Sequence, residues 1–240
     1  HIRGDYLTKL FLTAINKGLE SIKKERLKLL KVDLWNEGID LERNILRHYT
    51  KKNFDIYGID VSHIVCKAAS QNEPTININT ASITALPFKN EEFDIILDLS
   101  TSDHVPPEEI PIVFKEYARC TKRNGVLVII FDWWGFFWKH YLNYIERKYK
   151  MGDNNFFTNN RQKRYIDQIK FITGVISKHF DIQNEFCIDY TGWMWNRFTR
   201  PFWEKMPKKF YNLILNVEYS FLSKYLKPFS KQYVIIAKRR

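Results

Sequence analysis

The chain has 240 residues, of which 45% are hydrophobic, and it carries a net charge of +11 at neutral pH. This length fits one α/β domain with an added cap and is too short for two ordinary enzyme domains. No apolar run approaches the roughly 18 residues of a membrane span, so we expect neither a transmembrane helix nor a signal peptide. The basic charge would suit nucleic acid or an anionic surface. Because Lys, Asn, Ile, Tyr and Phe are abundant throughout, as an AT-rich coding sequence would also produce, we give this charge little weight.

The three cysteines, Cys66, Cys120 and Cys187, are odd in number and far apart. Their spacing does not match that of metal ligands. We expect reduced, mostly buried thiols in a cytoplasmic protein and no metal site. Because the chain begins with His1, we expect a trimmed or tagged start and leave that residue out of the argument.

The first elements in chain order are a helix, a strand and a second helix. Apolar residues recur at the spacing of one helix face over residues 5–26, which predicts a leading helix that covers the sheet. Residues 27–35 are typical of a first strand, and residues 33–38 form the turn after it. A second helix is predicted over residues 41–49.

Three short apolar runs over residues 54–60, 93–99 and 125–131 are typical of strands that are buried on both faces of a parallel sheet. Two of them end at or near an acidic residue, Asp60 and Asp98. Ligands bind at the carboxyl ends of strands in open α/β sheets, so these two carboxylates are candidate ligand contacts. The alternative is that they are solvated strand ends or helix caps.

The remaining predicted elements complete an α/β pattern. We predict a strand over residues 75–79, a helix over 108–120 and a further helix over 165–180. Two final strands are predicted over residues 181–188 and 232–238. The core face of the 108–120 helix is predicted to contain Ile112, Val113, Tyr117 and Ala118.

Two segments rich in aromatic and basic residues, 133–160 and 190–228, are predicted to be insertions that cap one edge of the sheet. The second becomes amphipathic from Phe210, with Leu213, Ile214, Val217, Phe221 and Tyr225 on one face. Such segments could form a hydrophobic lid, a membrane-facing surface or a nucleic-acid surface. Ordinary packing of a cap subdomain would account for many of the aromatic residues.

The order of motifs in this chain resembles that of the class I S-adenosylmethionine-dependent methyltransferases. The resemblance rests on the sequences YGIDVS at 57–62, LPF at 86–88 followed by EEFD at 91–94, LSTSDH at 99–104, and FKEYAR at 114–119 followed by KRNG at 122–125. It covers residues 27–135 well. It implies one domain over residues 1–240 with a Rossmann-like, seven-stranded, mostly parallel sheet, helices on both faces and an antiparallel last strand.

The resemblance also implies a binding site for S-adenosylmethionine, with S-adenosylhomocysteine as the product. Asp60 would accept hydrogen bonds from the ribose hydroxyls, with Val61 beside it. Ser82 and Ile83 would lie near the adenine. Asp98 and Ser100 would belong to the part of the site near the methyl group.

The turn after the first strand departs from the family pattern. The family has an acidic residue and a glycine-rich turn here, whereas this chain has Trp35 and Asn36 and keeps only Gly38. One hypothesis is an altered loop in which Asp33 and Glu37 take over the contacts to the cofactor's amino-acid part. The alternative is a chain that has lost cofactor binding.

His104 and Asp103 are the candidate catalytic residues, because the resemblance places the methyl group and the acceptor beside the loop that follows the fourth strand. A histidine titrates near neutral pH and could remove a proton from the acceptor, and Asp103 could orient it. The alternative for His104 is a structural histidine at the start of the next helix.

The function implied by these features is transfer of a methyl group from S-adenosylmethionine to an oxygen or nitrogen of a small-molecule, lipid-linked or glycan-linked acceptor. The expected location is cytoplasmic, with peripheral membrane contact through the cap as an extension of this hypothesis. Methylation of RNA and a non-catalytic scaffold with the same fold are the alternatives.

Overall fold

The computed structural model describes residues 2–132, 168–190, 205, 207–218, 225 and 229–240. The elements are α1 (Ile2–Leu19), β1 (Leu27–Val32), α2 (Trp35–Gly38), β2 (Phe54–Asp60), α3 (His63–Asn72), β3 (Asn77–Thr80), β4 (Phe93–Leu99), α4 (Ile110–Cys120), β5 (Thr121–Asp132), α5 (Gln168–Ile176), β6 (Phe180–Ile188), α6 (Lys208–Glu218) and β7 (Gln232–Arg239). Short 3₁₀ turns lie at Leu41–Arg43, Leu46–His48 and Ser102–His104.

The seven strands form one sheet in the order β3-β2-β1-β4-β5-β7-β6. β7 is antiparallel to both of its neighbours, β5 and β6, and every other pairing is parallel. The predicted mostly parallel sheet with an antiparallel last strand is therefore confirmed. The chain order reverses between β1 and β4, and ligands in open α/β sheets bind beyond the carboxyl ends of the strands at such a point.

Helices cover both faces of the sheet and bury two hydrophobic clusters. One cluster contains Leu10 and Ile15 of α1 together with Val65 of α3. The other contains residues of α4 and α5, among them Phe114 and Ile172. Successive residues of the strands face opposite sides of the sheet and supply both clusters, which is why the central strands are mainly apolar.

Several predicted boundaries near the amino terminus are wrong. The first helix ends at Leu19 instead of continuing to residue 26, and the first strand ends at Val32. The helix predicted over 41–49 is replaced by two 3₁₀ turns, and α2 lies before this range. The chain leaves the strand early because the carboxylate of Asp33 accepts a hydrogen bond from the N–H of Trp35 and closes a turn there.

The prediction for α4 is also partly wrong. This helix begins at Ile110, and Ile112 is 49% exposed instead of buried. Its buried stripe runs through Val113, Phe114 and Tyr117.

Two residues of α4 form hydrogen bonds with the Leu86–Phe88 segment, which is distant from α4 in the sequence. Glu116 Oε2 accepts a hydrogen bond from the N–H of Leu86 at 2.9 Å. The guanidinium of Arg119 donates to the carbonyl of Leu86 at 2.9 Å and to that of Phe88 at 2.7 Å, and it also pairs with Glu116. The ion pair between Glu116 and Arg119 thus fixes the Leu86–Phe88 segment, which precedes β4.

Most of the predicted cap lies outside the described residues, including all of 133–160. In the described part of 190–228, Ile214 and Leu215 of α6 pack against the cluster beneath α1. Leu213, which was predicted to share a face with Ile214, is exposed. No helix within the described ranges is long and apolar enough to cross a membrane.

Candidate active site

The turn after β1 is built around a buried ion pair. Lys31 and Glu37 are both fully buried, and Lys31 Nζ lies 2.8 Å from Glu37 Oε2. Lys31 Nζ also donates to the carbonyl of Asp33, and the other oxygen of Glu37 accepts from the N–H of Leu46 at 3.3 Å. The charge of Glu37 is therefore compensated within the protein.

Burial and attraction act in opposite directions on this pair. Burial alone would lower the pKa of Lys31, but the nearby carboxylates of Glu37, Asp33 and Asp60 raise it above its ordinary value. Burial raises the pKa of Glu37, and Lys31 offsets part of that effect. A buried charge is stable only when it is paired and hydrogen-bonded, as both groups are here.

The glycines near the turn serve packing between elements. A Cβ on Gly38 would lie 2.7 Å from the carbonyl oxygen of Val65, so Gly38 allows α2 to approach α3. A Cβ on Gly58 would lie 2.6 Å from the buried side chain of Leu34. We therefore assign Glu37 and Gly38, two of the expected cofactor contacts, to the internal structure of the turn.

Asp60 lies at the end of β2 and faces the same turn. Its Oδ2 accepts a hydrogen bond from the N–H of Leu34 at 3.1 Å, and its Oδ1 accepts from the N–H of Ser62 at 2.8 Å. A carboxylate has about four acceptor positions, so capacity remains for a ligand. The side chain of Val61 beside it is 71% exposed and offers an apolar surface.

The segment after β3 lies next to Asp60. The N–H of Ala81 donates to the carbonyl of Asp60 at 3.0 Å. Ser82 Oγ is 2.8 Å from the hydroxyl of Thr84 and accepts from the N–H of the same residue, while Ile83 is buried in the core. The structure thus brings the expected ribose and adenine neighbours together at one edge.

The loop after β4 is organised by Asp98. This carboxylate is fully buried and accepts hydrogen bonds from the N–H groups of Thr101 and Ser102 and from the hydroxyl of Tyr117. Burial raises the pKa of Asp98, and these donors offset part of the effect. We therefore assign Asp98, another expected cofactor contact, to the support of this loop.

Ser100 is held in the left-handed region with a φ of 66°, which non-glycine residues seldom adopt. Its hydroxyl donates to Asp103 Oδ2 at 3.0 Å. The hydroxyl of Thr101 donates to the carbonyl of Val32 at 2.6 Å and so ties this loop to the end of β1. Backbone strain of this kind is concentrated at functional sites.

Asp103 is buried, yet its Oδ1 accepts no hydrogen bond. Burial, together with the charges of Asp132 and Asp98, raises the pKa of Asp103 to about 7. His104 Nε2 lies 3.9 Å from that oxygen, and the side chain of His104 is 53% exposed. The two expected catalytic residues are therefore neighbours, but only Asp103 is enclosed.

Sequence reasoning missed four residues that build the site: Lys31, Thr101, Tyr117 and Asp132. A signal existed for Lys31, because a lysine inside an apolar strand needs a buried partner. A group of three or more His, Cys, Asp or Glu residues that could hold a metal ion is not found within the described ranges.

The strand order, the switch point and the carboxylate at the end of β2 define a Rossmann-like fold of the class I methyltransferase type. Residues 38–129 match the family model described as "Methyltransferase domain". Over these residues, which are less than half of the chain, the sequence is similar to this family, and S-adenosylmethionine is the cofactor that the similarity and the fold support. No curated protein matches the sequence.

Solved structures with the same fold have low sequence identity to this chain. A methyltransferase from Methanosarcina mazei is 14% identical, with a TM-score of 0.58 over 92% of this chain and 96% of its own. A TehB-like methyltransferase from Corynebacterium glutamicum is 14% identical, with a TM-score of 0.53 over 95% and 88%. Geranyl diphosphate C-methyltransferase from Streptomyces coelicolor, solved with Mg²⁺, geranyl diphosphate and S-adenosylhomocysteine, is 11% identical, with a TM-score of 0.55 over 97% and 80%.

The residues present fit the adenosine half of this cofactor. Asp60 keeps acceptor capacity for a ribose diol, and Val61 exposes an apolar surface beside it. The amino-acid half meets a turn whose carboxylate Glu37 already has a cation. Asp103 Oδ1, which accepts no hydrogen bond, lies in the loop after β4, across the switch point from the turn after β1.

Proposed function

We propose that this protein transfers the methyl group of S-adenosylmethionine to an oxygen or nitrogen atom of an acceptor that is bound beside the β4 loop. The observation that carries this proposal is the buried Asp103 with its unpartnered Oδ1 at the carboxyl edge of the sheet. Within this protein, Asp60 holds the ribose, Val61 covers the adenine from one side, and Ser82 and Ile83 border it.

Asp103 acts as the proton acceptor in this mechanism. A carboxyl group with a pKa of about 7 is about half ionised at neutral pH, which suits a general base. Asp103 Oδ1 would take up the proton of the acceptor oxygen or nitrogen as the acceptor receives the methyl group, and the cofactor, held through Asp60, would leave as S-adenosylhomocysteine. The bound cofactor supplies the electrophilic methyl group.

The other residues of the loop position Asp103. Ser100 donates to Oδ2 and the N–H of Asp132 reaches the same oxygen at 3.4 Å, so Oδ1 is the oxygen that remains for the acceptor. His104 is more exposed and lies at the rim, where it could relay the proton to solvent. Positioning of this kind supplies much of what an enzyme contributes to a group transfer.

Cofactor binding is the first step to test. Calorimetric titration with S-adenosylmethionine and S-adenosylhomocysteine should give micromolar dissociation constants, equivalent to about −8 kcal/mol. Asp60→Asn should weaken both at least tenfold. Asp55→Asn is the matched control, because Asp55 lies on the same strand but pairs with Arg26 in an exposed ion pair. Failure of the native protein to bind either ligand at millimolar concentration would refute the proposal.

We further propose that the acceptor is linked to a lipid, because one exposed surface near α6 suits a membrane. Phe210 and Leu213, which are three residues apart on α6, are both more than half exposed, as is Tyr225. Lys205 and Lys209 are exposed in the same part of the chain. Exposed aromatic and aliphatic side chains beside lysines suit an anionic bilayer surface. Net charge alone supports RNA as the acceptor.

Vesicle sedimentation tests this surface. The protein should bind phosphatidylglycerol vesicles more tightly than phosphatidylcholine vesicles, and Phe210→Ser/Leu213→Ser should lose that binding. Ile112→Ser is the control, because Ile112 is an equally exposed apolar residue on α4. Equal binding by both variants would remove the lipid surface from the proposal and leave the methyl transfer intact.

A further inference from the structure

A second buried hydrogen-bond acceptor lies close to Asp103 along the carboxyl edge of the sheet. Gln232, the first residue of β7, is 6% exposed, and its Oε1 accepts no hydrogen bond. Gln232 lies directly opposite Asp132 in the register between β7 and β5. The N–H of Asp132 in turn reaches Asp103 Oδ2 at 3.4 Å. Asp103 and Gln232 are therefore both neighbours of Asp132.

The pairing of β5 with β7 brings the side chains of Asp132 and Gln232 together. Because the N–H of Asp132 is directed at Asp103 in the β4 loop, this cross-strand pair is of the type without mutual hydrogen bonds, in which the side chains are closest. Ile130 and Val234, each two residues away from one member of the pair, both belong to the cluster beneath α1. Asp132 and Gln232 thus face the same side of the sheet.

Two buried acceptor oxygens near one residue have an energetic cost. A buried acceptor that lacks a donor destabilises the folded protein, and most buried polar groups in proteins are hydrogen-bonded for this reason. Asp103 Oδ1 and Gln232 Oε1 both depart from that rule. A ligand that supplies two donors would satisfy both. These two acceptors are present whatever residues outside the described ranges contribute to the rest of the pocket.

The acceptor groups that this protein could methylate differ in the number of donors that they offer. An alcohol has one O–H, and a tertiary amine has no N–H. A primary amine has two N–H groups, and its lone pair points away from both of them. Burial away from water favours the neutral form of an amine, so the nitrogen keeps the lone pair that it needs for the reaction.

We propose that the methyl acceptor of this protein is a primary amine, whose two N–H groups are held by Asp103 Oδ1 and Gln232 Oε1. This assignment rests on the proposed function, because it narrows the acceptor of the same site from oxygen or nitrogen to one kind of nitrogen. Gln232 is then a residue that determines acceptor specificity. A site that is built to bind a second N–H discriminates strongly against an acceptor that lacks it.

The reaction of a primary amine in this site conserves atoms and charge. The nitrogen lone pair forms the new bond to the methyl carbon, and the electron pair of the broken carbon–sulfur bond stays with sulfur. One N–H proton passes to Asp103 Oδ1. The amine leaves as a secondary amine with a single N–H, and S-adenosylhomocysteine is the other product. Because the secondary amine can satisfy only one of the two oxygens, the product should be mainly monomethylated.

The first experiment compares amines and alcohols that share a carbon frame. Once calorimetry has shown cofactor binding, the full chain is incubated with tritium-labelled S-adenosylmethionine and with butylamine, benzylamine, dodecylamine or the corresponding alcohol. Label should enter at least one amine about ten- to a hundredfold faster than its alcohol, because the alcohol leaves one buried acceptor without a donor. The N-methyl derivative of that amine should also react at least about tenfold more slowly.

The outcomes of this comparison separate the assignment from the proposed function. An alcohol that is labelled as fast as its amine would overturn the assignment and leave methyl transfer in place. A protein that binds the cofactor and labels none of the amines would overturn the assignment as well. Failure to bind S-adenosylmethionine at all would instead refute the proposed function.

The second experiment tests Gln232 directly. Gln232→Met keeps the length of the side chain and removes the acceptor oxygen. It should lower kcat/KM for the amine about ten- to a hundredfold, leave the rate with the alcohol within about threefold, and leave the affinity for S-adenosylhomocysteine unchanged. Its thermal midpoint should equal or exceed that of the native protein, because an unpartnered buried oxygen has been removed.

Gln183→Met is the matched control, because Gln183 is exposed on the neighbouring strand β6. It should change neither the ratio of amine to alcohol rates nor the thermal midpoint. If Gln232→Met lowered the thermal midpoint and kept the native ratio of amine to alcohol rates, Gln232 would have a structural role and the assignment would be wrong.

Discussion

Two loops meet at the centre of the sheet's carboxyl edge, and each contains a buried carboxylate. In the turn after β1, Glu37 lies 2.8 Å from Lys31. In the loop after β4, Asp103 has one oxygen without a hydrogen bond and two other carboxylates, Asp98 and Asp132, near enough to raise its pKa. The first carboxylate has a permanent partner and maintains the shape of the turn. The second is costly to ionise in the resting protein, which suits a group that takes up a proton during a reaction.

The largest expected effect in this comparison concerns Lys31. Lys31→Met removes the cation and leaves Glu37 buried without a partner, so the free energy of unfolding should fall by about 3–5 kcal/mol. Urea unfolding followed by circular dichroism measures this change. Lys31→Met/Glu37→Leu, which removes both charges, should recover most of the loss. A double variant as unstable as the single one would show that the pair does more than neutralise itself.

The next effect concerns catalysis by Asp103. Asp103→Asn should lower kcat/KM by about 10²- to 10⁴-fold, because the amide cannot accept the proton, while the affinity for S-adenosylhomocysteine stays within about twofold. In the native protein the rate should rise as the pH increases through about 7, where Asp103 ionises. This limb should be lost in the variant. The measurement is transfer of a tritium-labelled methyl group at pH 5.5 to 8.5.

His104→Ala supplies the contrast, and its loss should be less than about tenfold because His104 lies at the rim. If His104→Ala removed the pH dependence and Asp103→Asn kept it, His104 would be the proton acceptor and Asp103 would not.

The same carboxyl group should affect stability in a pH-dependent way. The pKa of Asp103 is about 7 in the folded protein and roughly 3.9 in the unfolded chain. Between these values the folded state binds more protons, so this group makes stability fall as the pH rises through that window. The free energy of unfolding of Asp103→Asn should therefore fall less steeply as the pH rises. At pH 8 this variant should be more stable than the native protein by on the order of 1–3 kcal/mol. Parallel stability curves for the two proteins would contradict the assigned burial of Asp103.

The smallest expected effect concerns the support beneath the β4 loop. Tyr117→Phe removes the hydroxyl that donates to Asp98 at 3.1 Å and should cost about 1–2 kcal/mol of unfolding free energy. Tyr57→Phe is the control, since Tyr57 is only partly buried and packs through its ring against Phe88 and Phe93. Equal effects in thermal unfolding would show that the Asp98 contact contributes nothing specific.

The sequence alone predicted the strands that carry the site. It predicted only some of the interactions that the charged residues of the site make. The bounds of β2 and β4 agree with the prediction, because each is a short, mainly apolar run between turn or charged residues. Ser62 caps α3 by accepting a hydrogen bond from the N–H of Val65, three residues later. These features depend on residues that are neighbours in the sequence, so local patterns are sufficient to identify them.

The partners of the charged residues could not be inferred in the same way. Glu37 looked available to a ligand because its cation, Lys31, lies on the preceding strand and points into the same buried space. Asp98 looked like a ligand contact because its donor Tyr117 comes from a helix nineteen residues later. Whether an acid at a strand end is free depends on what other elements bring to it, and that is a property of the tertiary structure.

Glu116 and Arg119 clamp the Leu86–Phe88 segment through hydrogen bonds to its backbone. This clamp should affect how long a bound nucleoside stays in the site. Fixing a flexible backbone costs roughly 1–2 kcal/mol per residue. Because α4 fixes this segment during folding, a nucleoside that arrives beside Ser82 does not have to order it. Loosening this clamp through Arg119→Ala should therefore shorten the residence time of the bound nucleoside, although Arg119 is not among the residues proposed to contact it.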